Sequence, residues 1–138
     1  MVKMIATYSG EKHCKILHEP SQSILETDAP KDNQGRGEKF SPTDLVATAL
    51  ASCILTTVGI IAERDGIDIK GAQVSIEKEM SSNPRRIAHL NLVIEIPNSV
   101  SSSYLEKIKE TAKNCPVATS LHPDVKISFL FKTLVNEI

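Results

Sequence analysis

FSPTDLVATALASCILTTVGIIAER, residues 40–64, is the segment on which the predicted fold depends. Ser41 is a favoured helix N-cap, and Pro42 suits the first helical position because it has no N–H to leave unpaired. Asp44 stands two residues further on, where a carboxylate faces the positive end of the helix dipole. We therefore predict one long helix that starts at Pro42 and runs to about Arg64.

Residues 46–62 of this helix contain no charged side chain, and nearly every side of the helix is small or apolar. Seventeen such residues lie at the lower limit for a membrane span, and four hydroxyl side chains interrupt them. A core helix of a soluble protein therefore fits better than a membrane helix. A helix that is apolar on all sides must be covered, and the rest of this chain offers too little cover. We expect a homodimer with this helix near the interface.

The remaining sequence predicts an α+β domain of antiparallel sheets packed on the long buried helix and a second helix. One domain should cover residues 1–138. Apolar and polar residues alternate in two of the segments, Gly71–Ser81 and Arg85–Ile96. In the second of them, Ile87 is expected on the same face as His89 and opposite Leu90. The predicted elements, apart from the long helix, are the strands Lys3–Ser9, His13–Glu19, Ser21–Thr27, Gly71–Ser81, Arg85–Ile96 and Lys126–Leu134, the loop 28–39 and the helix Ser101–Asn114.

Composition excludes several classes of function. The 16 basic and 17 acidic residues give a net charge of −1, and aromatic residues make up 4%, so binding to nucleic acid is not expected. The first residues, MVKMIATYSG, lack the apolar core of a signal peptide. An odd count of three cysteines argues against a disulfide framework, so we expect a cytoplasmic protein. No cofactor or metal motif occurs, and we predict neither.

The three cysteines differ in their surroundings. Cys115 precedes Pro116, which should end one helix and start a short one, PVATSL, so that the thiol lies at a helix N-terminus where its pKa falls. Cys53 lies in the middle of the long helix, where a cysteine is either a small core residue or a reactive thiol. Cys14 lies next to His13 in a strand; adjacent side chains point to opposite faces and make a poor metal pair. The other histidines match no ligand spacing.

FSPTDLVATALASC (residues 40–53) together with NCPVA (residues 114–118) resembles the OsmC/Ohr family of osmotically inducible and organic hydroperoxide resistance proteins. The shared pattern is an (S/N)-P-x-x-L helix start, a run of small residues with a cysteine eleven positions after the proline, and a distant C-P-V. The order of the predicted strands and helices is also similar, so that the resemblance covers nearly the whole chain.

The resemblance implies an intertwined homodimer with active sites at the subunit interface. It also implies a thiol-dependent peroxidase for organic hydroperoxides, which a dithiol reductant, of the lipoyl type or another, returns to the reduced state. In such a protein Cys53 attacks the peroxide and Cys115 converts the resulting sulfenic acid to a disulfide. The helix-start position taken alone favours Cys115 as the more acidic thiol, whereas the resemblance assigns the attack to Cys53.

The resemblance also implies an arginine and a glutamate that hold the attacking thiolate. The glutamate position holds Thr43 here, and Asp44 is the nearest acid. Arg36 is the first candidate for the arginine and Lys12 the second. This departure fits a less characterised OsmC-like branch. The alternative function is a non-catalytic dimeric stress-response protein, or one that binds a small apolar ligand.

Overall fold

The computed structural model describes residues 1–134, which form two compact units, one of residues 1–46 and one that begins at Ala47. The predicted single domain over residues 1–138 stays a prediction, and residues 135–138 lie outside the described part. The first unit contains a three-stranded antiparallel sheet in the order β1-β2-β3. Its strands are β1 (Met4–Gly10), β2 (His13–His18) and β3 (Ser23–Asp28).

Two tight turns set the register of this sheet. Glu11 and Lys12 have φ angles of 54° and 61°, so the hairpin turn between β1 and β2 uses the left-handed region at both central residues. Gln22 also has a positive φ, and its N–H donates to the His18 carbonyl at 2.8 Å. The third strand therefore begins after this turn, two residues later than predicted. The loop that follows contains one short 3-10 turn, Lys31–Asn33.

The helix α1 spans Pro42–Arg64, as the sequence predicts, and starts with a reciprocal cap. The Asp44 N–H donates to Ser41 Oγ at 3.0 Å, and the Ser41 N–H donates to Asp44 Oδ2 at 2.9 Å. This is a capping box with aspartate in the place that glutamate usually takes. The first turn of the helix belongs to the first unit and the rest to the second.

One side of α1 stays exposed in the single chain. Ala49, Ser52, Thr56 and Ile60 form an exposed stripe at helical spacing, and Ile60 is 62% exposed. By length and composition alone, this helix could cross a membrane, but core helices of soluble proteins can have the same length and composition. The buried side chains lie on the other side: Ala47, Leu50, Ala51, Ile54, Val58 and Ala62.

The second unit contains a three-stranded sheet in the order β4-β5-β6. The predicted antiparallel pairing holds for β4 and β5, but β6 runs parallel to β5. The chain between β5 and β6 forms two helices, and such a crossover returns the chain in the same direction. The elements are β4 (Gln73–Ser81), β5 (Arg86–Pro97), α2 (Ser102–Lys113), α3 (Pro116–Ser120) and β6 (Lys126–Leu134).

A bulge changes the face of one predicted residue. Glu79 pairs with His89 and Met80 pairs with Ile87, so Ala88 is an extra residue in β5. Ile87 is consequently buried on the same side as Leu90, and its expected position beside His89 was wrong. The rest of the alternation is confirmed: Leu90, Leu92, Ile94 and Ile96 are all buried.

Candidate functional site

Cys53 lies in the middle of α1 and is half-buried. One helical turn further along, the Thr57 hydroxyl oxygen lies 3.8 Å from Cys53 Sγ, which is hydrogen-bonding distance for sulfur. The neighbouring side chains Leu50 and Ile54 are fully buried. The thiol thus lies on a helix segment with buried apolar side chains, and the Thr57 hydroxyl is within hydrogen-bonding distance of it.

Cys115 is the N-cap residue of α3 and is completely buried. Its backbone is extended, with φ −66° and ψ 154°, because Pro116 occupies the first helical position and disfavours the helical region for the residue before it. The predicted break between the two helices is thereby confirmed. The break turns the thiol inward at the point where α2 ends.

The structure brings Cys53 and Cys115 together. The two side chains lie near enough for the Cys53 thiol to raise the pKa of Cys115, and both are free thiols. Cys14, the third free cysteine, lies on β2 in the first unit. A pair of adjacent thiols can undergo one specific reaction sequence, in which oxidation of one sulfur to sulfenic acid is followed by condensation with the other to a disulfide.

The electrostatic prediction for Cys115 was wrong. Burial raises the pKa of the Cys115 thiol above its ordinary value, and the nearby Cys53 thiol adds to the rise. Backbone N–H groups of Ala118 and Val117 lower the pKa, as expected at a helix start, but their effect is smaller. Because a thiolate loses more solvation than a neutral thiol on burial, Cys115 stays protonated more readily than a free cysteine.

Arg36 and Asp44, the residues expected to activate the thiolate, lie in the first unit. Arg36 forms an ion pair with Glu11 across the loop and hairpin. Asp44 accepts the hydrogen bond from the Ser41 N–H that caps α1. Lys12, the second candidate, lies in the hairpin turn, where its N–H donates to the Tyr8 hydroxyl at 3.1 Å.

The first unit contains a histidine cluster that the sequence did not predict. His13 Nδ1 lies 2.6 Å from Asp28 Oδ1, and His13 Nε2 lies 3.2 Å from Glu26 Oε1. The Asp28 side chain is 4% exposed, and its hydrogen bond to the imidazole is the main reason that the pKa of His13 is raised. The cross-strand pairing of His13 with Asp28 creates this contact, and a pattern read along one strand could not reveal it. Within residues 1–134 no group of three or more side chains has an arrangement that could hold a metal ion.

The His13 cluster predicts a pH-dependent stability. Because the folded pKa is raised, the cluster stabilises the fold fully below the unfolded pKa of about 6.5, and this stabilisation is lost as the pH rises through the folded value. His13→Gln keeps a hydrogen-bond donor but does not titrate. The urea midpoint of the parent should exceed that of the variant by more at about pH 5.5 than at about pH 8.5. An equal difference at both pH values would contradict the assignment.

Comparison with known proteins gives one family. The family model described as "OsmC-like protein" matches residues 35–129. A crystal structure of a candidate osmotic stress induced and detoxification response protein from Psychrobacter arcticus has a TM-score of 0.91 and 40% sequence identity, over 95% of this chain and 96% of that chain. Among curated proteins, no sequence matches.

Two further crystal structures share the fold at lower identity. An OsmC-like protein from Mycoplasma pneumoniae has a TM-score of 0.82 and 21% identity, and the match covers 98% of both chains. An organic hydroperoxide resistance protein from Legionella pneumophila has a TM-score of 0.77 and 16% identity over 96% of both chains. At these identities the likeness concerns the fold alone.

Proposed function

We propose that this chain, which belongs to the OsmC-like protein family, is a thiol-dependent peroxidase that reduces organic hydroperoxides. The observation that carries the proposal is the proximity of the thiols of Cys53 and Cys115, two free cysteines of the same unit. One thiol must react with the peroxide, and the other must lie close enough to react with the sulfenic acid that forms. Cys53 is half-buried and Cys115 is completely buried, which favours Cys53 as the thiol that a substrate can reach.

The proposed reaction proceeds in three balanced steps. The Cys53 thiolate attacks one oxygen of the hydroperoxide, the O–O bond breaks, and the alkoxide takes up a proton to leave as an alcohol. Cys53 is now a sulfenic acid. The Cys115 sulfur attacks the Cys53 sulfur, water leaves, and a disulfide forms. A dithiol reductant then exchanges with this disulfide and restores both thiols while it becomes a disulfide itself.

The raised pKa of Cys115 supports this division of roles. The thiolate is the attacking species, so a thiol kept protonated by burial is the weaker nucleophile toward peroxide. The same thiol lies next to Cys53 and is ready to react once the sulfenic acid has formed. We place the protein in the cytoplasm, where thiols are kept reduced between cycles.

A thiol count tests the proposed function. The reduced chain has three thiols, and one equivalent of tert-butyl hydroperoxide should remove two of them while an equal amount of tert-butanol appears. If all three thiols remain and no alcohol is formed, the peroxidase proposal is wrong. The alternative of a non-catalytic stress-response or ligand-binding protein then replaces it.

We further propose that Arg36 and Asp44 help to hold the Cys53 thiolate, as the family resemblance implies. Because Asp44 also caps α1, its two roles must be separated. Ser41→Ala removes the cap at a cost of about 1 kcal/mol and keeps the carboxylate. Asp44→Asn should slow the reaction of Cys53 with hydroperoxide several-fold more than Ser41→Ala does, as stopped-flow rates would show. Equal rates in the two variants would mean that Asp44 only caps α1 and does not hold the thiolate.

We also propose that the functional form is a homodimer. The exposed stripe of α1 ends in Ile60, and further large apolar side chains are exposed in the single chain, among them Met4, Ile24, Leu25 and Leu130. Sedimentation equilibrium should give twice the chain mass of 15.1 kDa at micromolar concentration. A stable, folded monomer under these conditions would contradict the proposal.

A further inference from the structure

The hydroxyl group of Thr57 has an unusual partner for a helical threonine. Thr111 and Thr119 donate to the backbone carbonyl four residues earlier, at 2.9 Å and 3.1 Å, as hydroxyl side chains in helices commonly do. Thr57 is half-buried, as Cys53 is. Unlike the other two hydroxyl groups, that of Thr57 lies 3.8 Å from a sulfur atom, Sγ of Cys53, which is four residues earlier. The hydroxyl is therefore directed at the thiol.

A thiolate at position 53 needs hydrogen-bond donors. Its helix neighbours Ala49, Leu50 and Ile54 carry no polar side-chain atoms, so they offer the negative charge no stabilisation. The hydroxyl residues Ser52 and Thr56 lie on the exposed side of the helix. While Cys53 is protonated, either group can donate to the other. When the thiol loses its proton to solvent, only the hydroxyl can donate, and a hydrogen bond to a charged acceptor is stronger than one to a neutral acceptor.

We propose that Thr57 is a catalytic residue whose hydroxyl donates to the Cys53 thiolate and makes this thiol reactive. The inference rests on the proposed function in so far as Cys53 is the thiol that attacks the peroxide. Thr57 is not consumed: the sulfur gains the peroxide oxygen, the alcohol leaves, and the hydroxyl stays in place. Part of the activation that the family resemblance assigns to a glutamate is thereby supplied by α1 itself.

Three variants separate the hydroxyl from the shape of the side chain. Thr57→Val replaces the hydroxyl with a methyl group of similar size, and Thr57→Ser keeps the hydroxyl without the methyl group. Thr111→Val is the matched control, since Thr111 is a half-buried helical threonine whose hydroxyl donates to the Lys107 carbonyl and not to a thiol. Alkylation of Cys53 by iodoacetamide in the full reduced chain is followed from about pH 5 to about pH 10 by peptide mass mapping.

In Thr57→Val the midpoint of Cys53 alkylation should rise by about one pH unit, and alkylation near neutral pH should slow about tenfold. The same variant should react about tenfold more slowly with tert-butyl hydroperoxide, while Thr57→Ser and Thr111→Val stay within about twofold of the parent. A Thr57→Val midpoint equal to that of the parent, or a Thr57→Ser midpoint shifted as far, would overturn the inference. If the midpoint shifts but no variant or parent reduces hydroperoxide, the proposed function fails and the role of Thr57 in holding the thiolate stands.

Discussion

Hydroperoxide turnover by the Cys53→Ser variant is expected to fall by roughly a thousandfold or more. A serine hydroxyl ionises far less readily than a thiol, and it cannot form a sulfenic acid. Steady-state assays with tert-butyl hydroperoxide and a dithiol reductant measure the loss. Because serine is nearly the size of cysteine, the fold should be kept, which the circular dichroism spectrum and the urea midpoint would verify.

Two matched variants make this result specific. Cys115→Ser should still consume one equivalent of hydroperoxide and then stop at the sulfenic acid, which a dimedone label on Cys53 would detect. Cys14→Ser, which alters the thiol on β2, should retain the turnover of the parent. Turnover that survives in Cys53→Ser and is lost in Cys115→Ser would reverse the two assigned roles.

A second large effect concerns the substrate. We expect tert-butyl hydroperoxide to be preferred to hydrogen peroxide by a factor of roughly 30 to 200 in kcat/KM. Cys53 is flanked on α1 by Ala49, Leu50, Ile54 and Thr57, and a second copy of the helix would add the same surface, most of it apolar. Each buried carbon group contributes roughly 0.8 kcal/mol, so four carbons contribute about 2–3 kcal/mol when they are also buried in the transition state.

Ethyl hydroperoxide serves as the internal control for this preference. With two fewer carbons it should lose roughly a factor of ten relative to tert-butyl hydroperoxide and still exceed hydrogen peroxide. Equal efficiency with all three oxidants would mean that the thiol lies in an open, polar site. The apolar surrounding inferred from the α1 sequence would then be wrong.

The sequence was most informative where structure depends on neighbouring residues. Ser41, Pro42 and Asp44 predict the start of α1 because a cap involves only the first turn of the helix. Pro116 likewise predicts the break before α3. The spacing of the two cysteine motifs was sufficient to identify the family, although neither motif contains any information about the distance between the sulfur atoms.

Features that depend on distant parts of the chain could not be predicted from the sequence. The parallel pairing of β6 and the bulge at Ala88 arise from contacts between strands. The pKa of Cys115 was expected to fall because the helix start is visible in the sequence, whereas the burial that outweighs it is created by the folded chain. The contact of His13 with Asp28 was missed for the same reason.

Peptide mapping of the peroxide-treated protein, without reduction, tests the central claim most directly. One equivalent of tert-butyl hydroperoxide should produce a single intrachain disulfide between Cys53 and Cys115, with Cys14 recovered as a free thiol. Such a bond requires Cα atoms within roughly 7 Å or a local movement that brings them there, and the proximity of the two thiols favours it. A disulfide that includes Cys14, or the absence of any disulfide after the peroxide has been consumed, would contradict the account.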